Sequence, residues 1–210
     1  MTNTLLFIRH AETDFAGRFC GHSDPPVNQR GLLQIEQLLM GLKSESIDAL
    51  YSSDLSRSLI TADAIGGAFG LTPIPLPELR EISFGEWEGL SWMEIESRDA
   101  VYARRWSEAY PDLLAPGGEP VATFQSRVLT KVMHLLAADS YTGAAVVTHA
   151  GVMRVVLRLL CGLDEHEAWE RTKTYCTFFR YQPGRPVDFS ATPSSSNTTA
   201  LLSSKRAASR

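Results

Sequence analysis

The sequence LLFIRHAET, residues 5–13, is a short apolar run that stops at an adjacent arginine and histidine. An uninterrupted apolar run of this length is typical of a strand buried in a parallel sheet. Open α/β sheets place their ligands at the carboxyl ends of such strands. Arg9 and His10 therefore lie where a ligand is expected, although a solvated turn can carry the same pair of residues.

A second apolar strand is predicted over residues 47–51, and another basic residue follows it. The next residues, SSDLSRSLITA, predict a helix with Arg57 on its first turn. Ser53 and Asp54 both have side chains that commonly cap a helix, so we expect one of them to do so here. Alone, Arg57 is equally compatible with a solvated helix position.

A third strand is predicted from AAVVTHAG, residues 144–151, and it ends at His149. A helical pattern follows at once, and the N-terminus of a helix carries a partial positive charge that suits an anion. A buried histidine bonded to the backbone would also fit His149 alone. Three strand ends with basic residues, in the order that a βαβ sheet requires, favour a phosphate site.

The chemistry of these residue types supports a phosphate site. Imidazole can attack phosphorus, and guanidinium groups bind phosphate oxygens through paired, charge-assisted hydrogen bonds. As a nucleophile, His10 must be neutral, and a backbone carbonyl is expected to hold its other N–H. Arg9 and Arg57 disfavour the imidazolium form, which keeps the nucleophile available near neutral pH.

Taken together, these motifs resemble the histidine phosphatase superfamily, which is phosphoglycerate mutase-like. Residues 9–11, RHA, correspond to the RHG motif of that family. The later arginine of the family falls on Arg57, its second histidine on His149 and its acid/base glutamate on Glu81. The resemblance extends from about residue 4 to about residue 182.

This resemblance implies a metal-independent hydrolase of phosphate monoesters that uses no cofactor. His10 would form a phosphohistidine, and Glu81 would protonate the leaving alkoxide and then activate water. Arg9, Arg57 and His149 would neutralise charge on the transferring phosphoryl group. The partner implied is a small-molecule phosphate monoester.

The sequence departs from the family pattern at two positions. Ala11 replaces the usual glycine, and because alanine at positive φ would cost about 1 kcal/mol, we expect an ordinary backbone there. Ala16 stands where many members carry an asparagine that touches the phosphate, so one donor is lost.

Three loop residues near the nucleophile are candidate substrate contacts. Thr13 either donates its hydroxyl to the phosphate or caps the following turn. Gly21 either offers its backbone N–H to the phosphate or forms a turn. His22 is either a substrate contact or an ordinary surface residue.

The alternation of predicted elements indicates an α/β three-layer sandwich, with a mostly parallel central sheet and helices on both faces. Strands are predicted near 4–9, 47–52, 72–76, 144–148 and 174–182, and helices near 29–43, 54–69, 121–138 and 151–161. Residues 84–120 interrupt this alternation and predict a helical insertion over the carboxyl ends of the strands. Its many aromatic residues either pack a small core of the insertion or place at least one ring against the substrate.

Composition limits the remaining possibilities. Residues 1–190 fit one domain, and the Ser/Thr/Ala-rich composition from residue 191 predicts a mobile tail. Twenty basic against twenty-four acidic residues favour neither a nucleic acid nor a membrane as partner. Three widely spaced cysteines predict reduced thiols in a cytoplasmic protein, and a homodimer stays open.

Three functions are compatible with these residues. The first is a phosphomonoesterase, and residues 20–25, 82–89 and 116–119, with Phe124, Arg127 and Val128, resemble the α-ribazole-5′-phosphate phosphatases of cobalamin assembly. Broad-specificity sugar phosphatases share these motifs. The second is a phosphoglycerate mutase, against which the short insertion argues. The third is a non-catalytic phospho-ligand module, which would have no need of a proton donor.

Overall fold

The computed structural model describes residues 3–110 and 113–189, so the tail predicted from residue 191 lies outside the described residues. A five-stranded sheet with the order β3-β2-β4-β1-β5 forms the centre. The strands are β1 (Thr4–Arg9), β2 (Ala49–Ser52), β3 (Ile74–Pro75), β4 (Gly143–Thr148) and β5 (Phe178–Tyr181). All neighbouring pairs are parallel except β1 and β5. The mostly parallel sheet is therefore confirmed.

Seven α-helices lie within the described ranges. They are α1 (Gln29–Gly41), α2 (Ser56–Phe69), α3 (Trp92–Arg98), α4 (Ala100–Ala109), α5 (Val121–Leu136), α6 (Ala150–Leu159) and α7 (Glu165–Thr172). The four helices predicted with bounds are confirmed, and α3 and α4 form the expected helical insertion. Helix α7 was not predicted because it is mostly polar and lacks a clear apolar stripe. Its cap, Asp164, which accepts the Glu167 N–H at 2.7 Å, was the available signal.

Alternating residues of the strands bury opposite faces of the sheet, as the period of two requires. On β1, Leu5 and Phe7 pack in a core with residues of α5 and α6. Leu6 and Ile8 pack on the other face with residues of α1 and α2. Two cores thus separate three layers, which confirms the predicted sandwich.

The insertion has a core of its own. Trp87, Ile95 and Ala103 are buried there, and Trp92 and Trp106 pack against them. The Trp87 and Trp106 ring centroids are 5.1 Å apart. Most aromatic residues of the insertion therefore pack among themselves.

Strand β5 is shorter than the predicted 174–182. Cys176 has φ of +55°, in the left-handed region, so the backbone turns there before the strand begins at Phe178. The Thr177 carbonyl then accepts the Arg9 N–H at 3.0 Å. This turn brings residues 172–176 to the end of β1, beside Arg9 and His10.

Two further expectations concern reduced cysteines and the absence of a membrane partner. Cys20, Cys161 and Cys176 are free, as predicted. Among residues 3–110 and 113–189, no helix combines the length and the apolar character needed to cross a membrane.

The central position of Phe7 predicts a large stability cost for its truncation. Its side chain is fully buried and stacks on Phe179 with 5.4 Å between ring centroids. Phe7→Ala should lower the free energy of unfolding by about 3–5 kcal/mol, measured by urea denaturation. Met93→Ala, at a side chain that is 77% exposed, is the matched control and should change it by less than about 0.5 kcal/mol. Equal effects of the two changes would show that Phe7 does not anchor the core.

Candidate active site

His10 lies directly after β1 and is buried. Its Nδ1–H donates to the carbonyl of Ala11 at 2.7 Å, which leaves Nε2 with a free lone pair. Burial, followed by the charges of Arg57 and Arg9, holds the pKa of His10 well below its usual range. Ala11 is not among the described residues with a positive φ, which are glycines and Cys176. The ordinary backbone predicted for Ala11 is therefore confirmed. The imidazole is thus neutral and oriented.

Arg9 is held by the segment that follows α7. Its Nη1 donates to the carbonyls of Thr172 at 3.0 Å and Lys173 at 2.5 Å. Its Cζ lies 3.8 Å from the centroid of the Tyr175 ring, and that ring lies 5.6 Å from the ring of His10. Tyr175, which the sequence did not single out, therefore orients both residues. The Nε of Arg9 is buried and has no hydrogen-bond partner.

Arg57 is fully buried on the first turn of α2. Its Nη1 donates to the Ser23 carbonyl at 2.6 Å, and its Nη2 donates to the Gly21 carbonyl at 2.7 Å. The carboxylate of Asp24 lies 3.6 Å from Nη1. Its Nε, like that of Arg9, is buried without a partner. The loop 21–24 thus supplies both the hydrogen bonds and the counter-charge for this guanidinium.

His149 is the N-cap residue of α6, immediately after β4. Because Arg57 only donates, His149 Nδ1 accepts from its Nη2 at 3.2 Å, and Nε2–H donates to Ser53 Oγ at 2.9 Å. Burial and then the charge of Arg57 hold the pKa of His149 well below its usual range. Its ring centroid is 5.0 Å from that of His10. The structure thus brings His10, Arg57 and His149 together.

Glu81 completes the group at the N-terminus of α6. Its carboxylate accepts the N–H of Gly151 at 2.8 Å and that of Ile82 at 3.0 Å. A Cβ added at Gly151 would lie 2.0 Å from Glu81 Oε1, so position 151 must be glycine for the carboxylate to occupy this place. The backbone carbonyl of Glu81 accepts from Arg127 Nη2 at 2.9 Å. Arg127 therefore positions the backbone of Glu81, a role that no sequence motif predicted.

The predicted cap of α2 is wrong. The first-turn N–H of Ser56 donates to a residue distant in sequence, Asp24, at 2.7 Å. Asp54 instead forms a two-point ion pair with Arg80, at 2.7 and 2.6 Å. Ser53 Oγ receives the imidazole N–H described above. Both expected caps are thus committed to other partners.

The three loop candidates have protein partners. Thr13 Oγ1 accepts the N–H of Phe15 at 3.4 Å, which matches the interpretation that it caps a turn. The Gly21 N–H donates to the carboxylate of Glu88 at 3.0 Å, so this donor already has a partner within the protein. His22 is exposed, and its Nε2 lies 3.1 Å from the Glu81 carbonyl.

Glu88 is a further residue that the sequence analysis left without a role. Its carboxylate accepts the backbone N–H groups of Gly21, His22, Ser23 and Phe84, at 2.9 to 3.0 Å. Burial raises the pKa of Glu88, but these hydrogen bonds outweigh it and the pKa is lowered overall. Glu88 therefore fixes the loop 21–24 against the insertion, and this loop in turn binds the Arg57 guanidinium.

A cleft opens beside Glu81, and residues of the insertion form part of its wall. Phe84 and Tyr110 line it together with Glu81, Gly151 and Arg154. The tryptophans pack inside the insertion, as the first interpretation expects, and Phe84 and Tyr110 line the cleft. Over the described ranges, no three His, Cys, Asp or Glu side chains are grouped as metal ligands.

The role of Glu88 predicts a pH-dependent stability. Glu88→Gln should lower the free energy of unfolding by about 2 kcal/mol at pH 7, because the amide presents one acceptor oxygen where the carboxylate presents two. The pKa of Glu88 in the folded protein lies below its ordinary value of 4.5, so its contribution is present above pH 4.5 and is lost as the pH falls through the lowered value. Urea titrations at pH 7 and pH 4 should therefore show the difference shrinking in acid. Glu86→Gln, at an exposed carboxylate of the same motif, is the control; an equal loss there would contradict the prediction.

Comparison with known proteins identifies the family of this chain. The family model of the histidine phosphatase superfamily (branch 1) matches residues 5–187. The chain is 32% identical to phosphoserine phosphatase 1 of Hydrogenobacter thermophilus over 79% of each protein. It is 29% identical to the adenosylcobalamin/alpha-ribazole phosphatase of Escherichia coli, over 79% of this chain and 82% of that one. The crystal structure of a putative alpha-ribazole-5′-P phosphatase from E. coli superposes with a TM-score of 0.81 at 25% identity, covering 92% of this chain and 97% of the other. The chain therefore belongs to the histidine phosphatase superfamily, branch 1, and the predicted phosphatase is confirmed.

Proposed function

We propose that this protein hydrolyses phosphate monoesters through a phosphohistidine on His10, with Glu81 as the proton donor. One observation carries the proposal. A neutral, oriented imidazole lies near the charges of Arg9 and Arg57, and in both guanidinium groups the buried Nε has no hydrogen-bond partner among the described residues. Buried donors of this kind are costly unless an acceptor meets them. A phosphate dianion supplies such acceptors.

The reaction follows in two balanced steps. In the first, His10 Nε2 attacks phosphorus in line, the bond to the leaving oxygen breaks, and Glu81 gives that oxygen its proton. In the second, Glu81 takes a proton from water, the water oxygen attacks phosphorus, and the N–P bond breaks to release phosphate. Arg9 and Arg57 stabilise the charge on the transferring group.

The surroundings of Glu81 suit both of its tasks. The N–H groups of Gly151 and Ile82 fix its carboxylate at the wall of the cleft. The water of the second step approaches phosphorus from the side that the leaving oxygen vacated, so one carboxyl group in this place reaches both oxygens. The same group therefore serves as acid and then as base.

His149 contributes through Arg57 in this scheme. Both of its ring nitrogens bond within the protein, and its Nδ1 fixes the orientation of the Arg57 guanidinium. His22, exposed beside the Glu81 backbone, is the loop residue that we retain as a substrate contact. Thr13 and Gly21 act in this scheme by shaping the loop.

For the specific substrate we put forward α-ribazole-5′-phosphate, an intermediate of cobalamin assembly. The relatives that carry this name support it, as do Phe84 and Tyr110, whose rings suit an aromatic base. Phosphoserine, named for another relative, and sugar or other organic phosphates are the alternatives, with phosphoglycerate mutation behind them. A cytoplasmic location, in keeping with the three free cysteines, completes the proposal, and a homodimer stays open.

The phosphohistidine is directly testable. Rapid quenching of the reaction with a 32P-labelled monoester should trap an acid-labile label on His10. Excess EDTA should not prevent this, because guanidinium groups carry the charge of the transferring phosphoryl group. His10→Ala should lower kcat by at least about a thousandfold and abolish the label. His134→Ala, an exposed histidine on α5, is the matched control and should leave both unchanged. Turnover without labelled histidine, or loss of turnover in EDTA, would contradict the scheme.

The role of Glu81 predicts a dependence on the leaving group. Glu81→Gln should lower kcat/KM for glycerol phosphate by about 10²- to 10⁴-fold, because an alkoxide must be protonated as it leaves. The loss for p-nitrophenyl phosphate should be much smaller, since nitrophenolate leaves without a proton. Measuring kcat/KM isolates the steps up to phosphohistidine formation. Equal losses for the two substrates would show that Glu81 is not the donor.

A further inference from the structure

Arg154 is the third arginine with a buried, unpartnered Nε, and no motif predicted a role for it. It lies three residues after Gly151 on α6, so the two share one face of the helix. That face lines the cleft, in which Glu81 and Tyr110 also lie. Arg154 is therefore on the same wall as the backbone N–H that holds the Glu81 carboxylate.

The guanidinium of Arg154 forms no ion pair with any described residue. Its Cζ lies 4.5 Å from the centroid of the Trp169 ring, a contact that orients the guanidinium without neutralising it. Between residues 3–110 and 113–189, no hydrogen bond or ion pair involves its side chain. One turn further along, Arg158 is paired with Glu165 at 2.7 Å. Arg154 thus differs from its neighbour in having all its donors free of carboxylates.

The position of Arg154 places it on the leaving-group side of the reaction. Glu81 must reach the leaving oxygen, so the alcohol portion of the substrate occupies the cleft that Glu81 lines. Arg154 is also close enough to Arg9, on the phosphate side of the site, for its charge to affect the pKa of Arg9. Burial lowers the pKa of Arg9 most, Tyr175 opposes this, and Arg154 lowers it further.

We infer that Arg154 binds a carboxylate on the leaving alcohol and so selects phosphate monoesters that carry one. This inference rests on the proposed hydrolysis through His10, and it favours phosphoserine over α-ribazole-5′-phosphate as the specific substrate. The guanidinium fork matches a carboxylate in two-point geometry. A second phosphate fits less well, because Glu81 and Glu165 also line the cleft and their negative charge disfavours a dianion more than a monoanion.

The inference separates the two substrates that the relatives suggest. Phosphoserine has a carboxylate on its leaving alcohol, whereas α-ribazole phosphate has none. The aromatic pair, Phe84 and Tyr110, and the cation of Arg154 therefore favour different leaving groups. One set of measurements ranks them.

Matched substrates isolate the carboxylate. O-Phosphoserine and O-phosphoethanolamine differ only in that group, and 3-phosphoglycerate and glycerol 3-phosphate form a second pair on another scaffold. The full-length wild type should prefer the carboxylate member of each pair in kcat/KM. Arg154→Gln should reduce that preference by about 10- to 100-fold, mainly through KM, and Arg154→Lys should restore part of it. Because each ratio is taken within one variant, a smaller folded fraction cancels.

Arg171→Gln is the matched control. It removes an exposed arginine of α7 whose Cζ lies 4.3 Å from the Phe189 ring, outside the cleft, and it should leave both ratios unchanged. If p-nitrophenyl phosphate is hydrolysed with label on His10 but the wild type shows no carboxylate preference, or Arg154→Gln retains it, the inference is wrong and the proposed function stands. An equal loss of preference in Arg171→Gln also overturns it. Absence of both hydrolysis and labelled histidine would remove the proposed function as well.

Discussion

The buried guanidinium of Arg57 is the constraint on which the site depends. A charge without access to solvent is costly unless hydrogen bonds and a nearby opposite charge compensate it. Here the carbonyls of Gly21 and Ser23 and the imidazole of His149 surround it. Loop, helix α2 and the start of α6 are thereby joined at a single group.

The same guanidinium sets the protonation state of its neighbours. After burial, its charge is the largest influence that lowers the pKa of both His10 and His149. A neutral His149 can accept from Arg57, and a neutral His10 keeps its lone pair. The group that joins the loop, α2 and α6 thus also helps to keep His10 neutral, as the proposed nucleophile must be.

What the sequence predicted well are features set by local pattern. Apolar runs that end in basic residues located His10, Arg57 and His149 at strand ends, and parallel pairing then requires those ends to meet at one edge. The ordinary backbone of Ala11 followed from the steric cost of the alternative. These inferences needed no knowledge of partners distant in the chain.

What the sequence did not predict depends on partners distant in the chain. The cap of α2 comes from Asp24, and no local rule indicates that an aspartate some thirty residues earlier would displace Asp54. The carboxylate of Glu88 serves a loop more than sixty residues away. The role of Arg154 follows from what its side chain lacks, an ion-pair partner, and only the folded chain reveals this.

The separate core of the insertion has a consequence for how such a protein can diversify. Trp87 and Ile95 bury their side chains in a cluster with Phe19 and other members of the insertion, and they do not join the two cores that flank the sheet. Substitutions in that cluster that keep Glu88 therefore leave the packing beneath His10 and Arg57 undisturbed. A lineage can thus alter the wall of the cleft by remodelling this appendage while the residues at the strand ends are inherited intact.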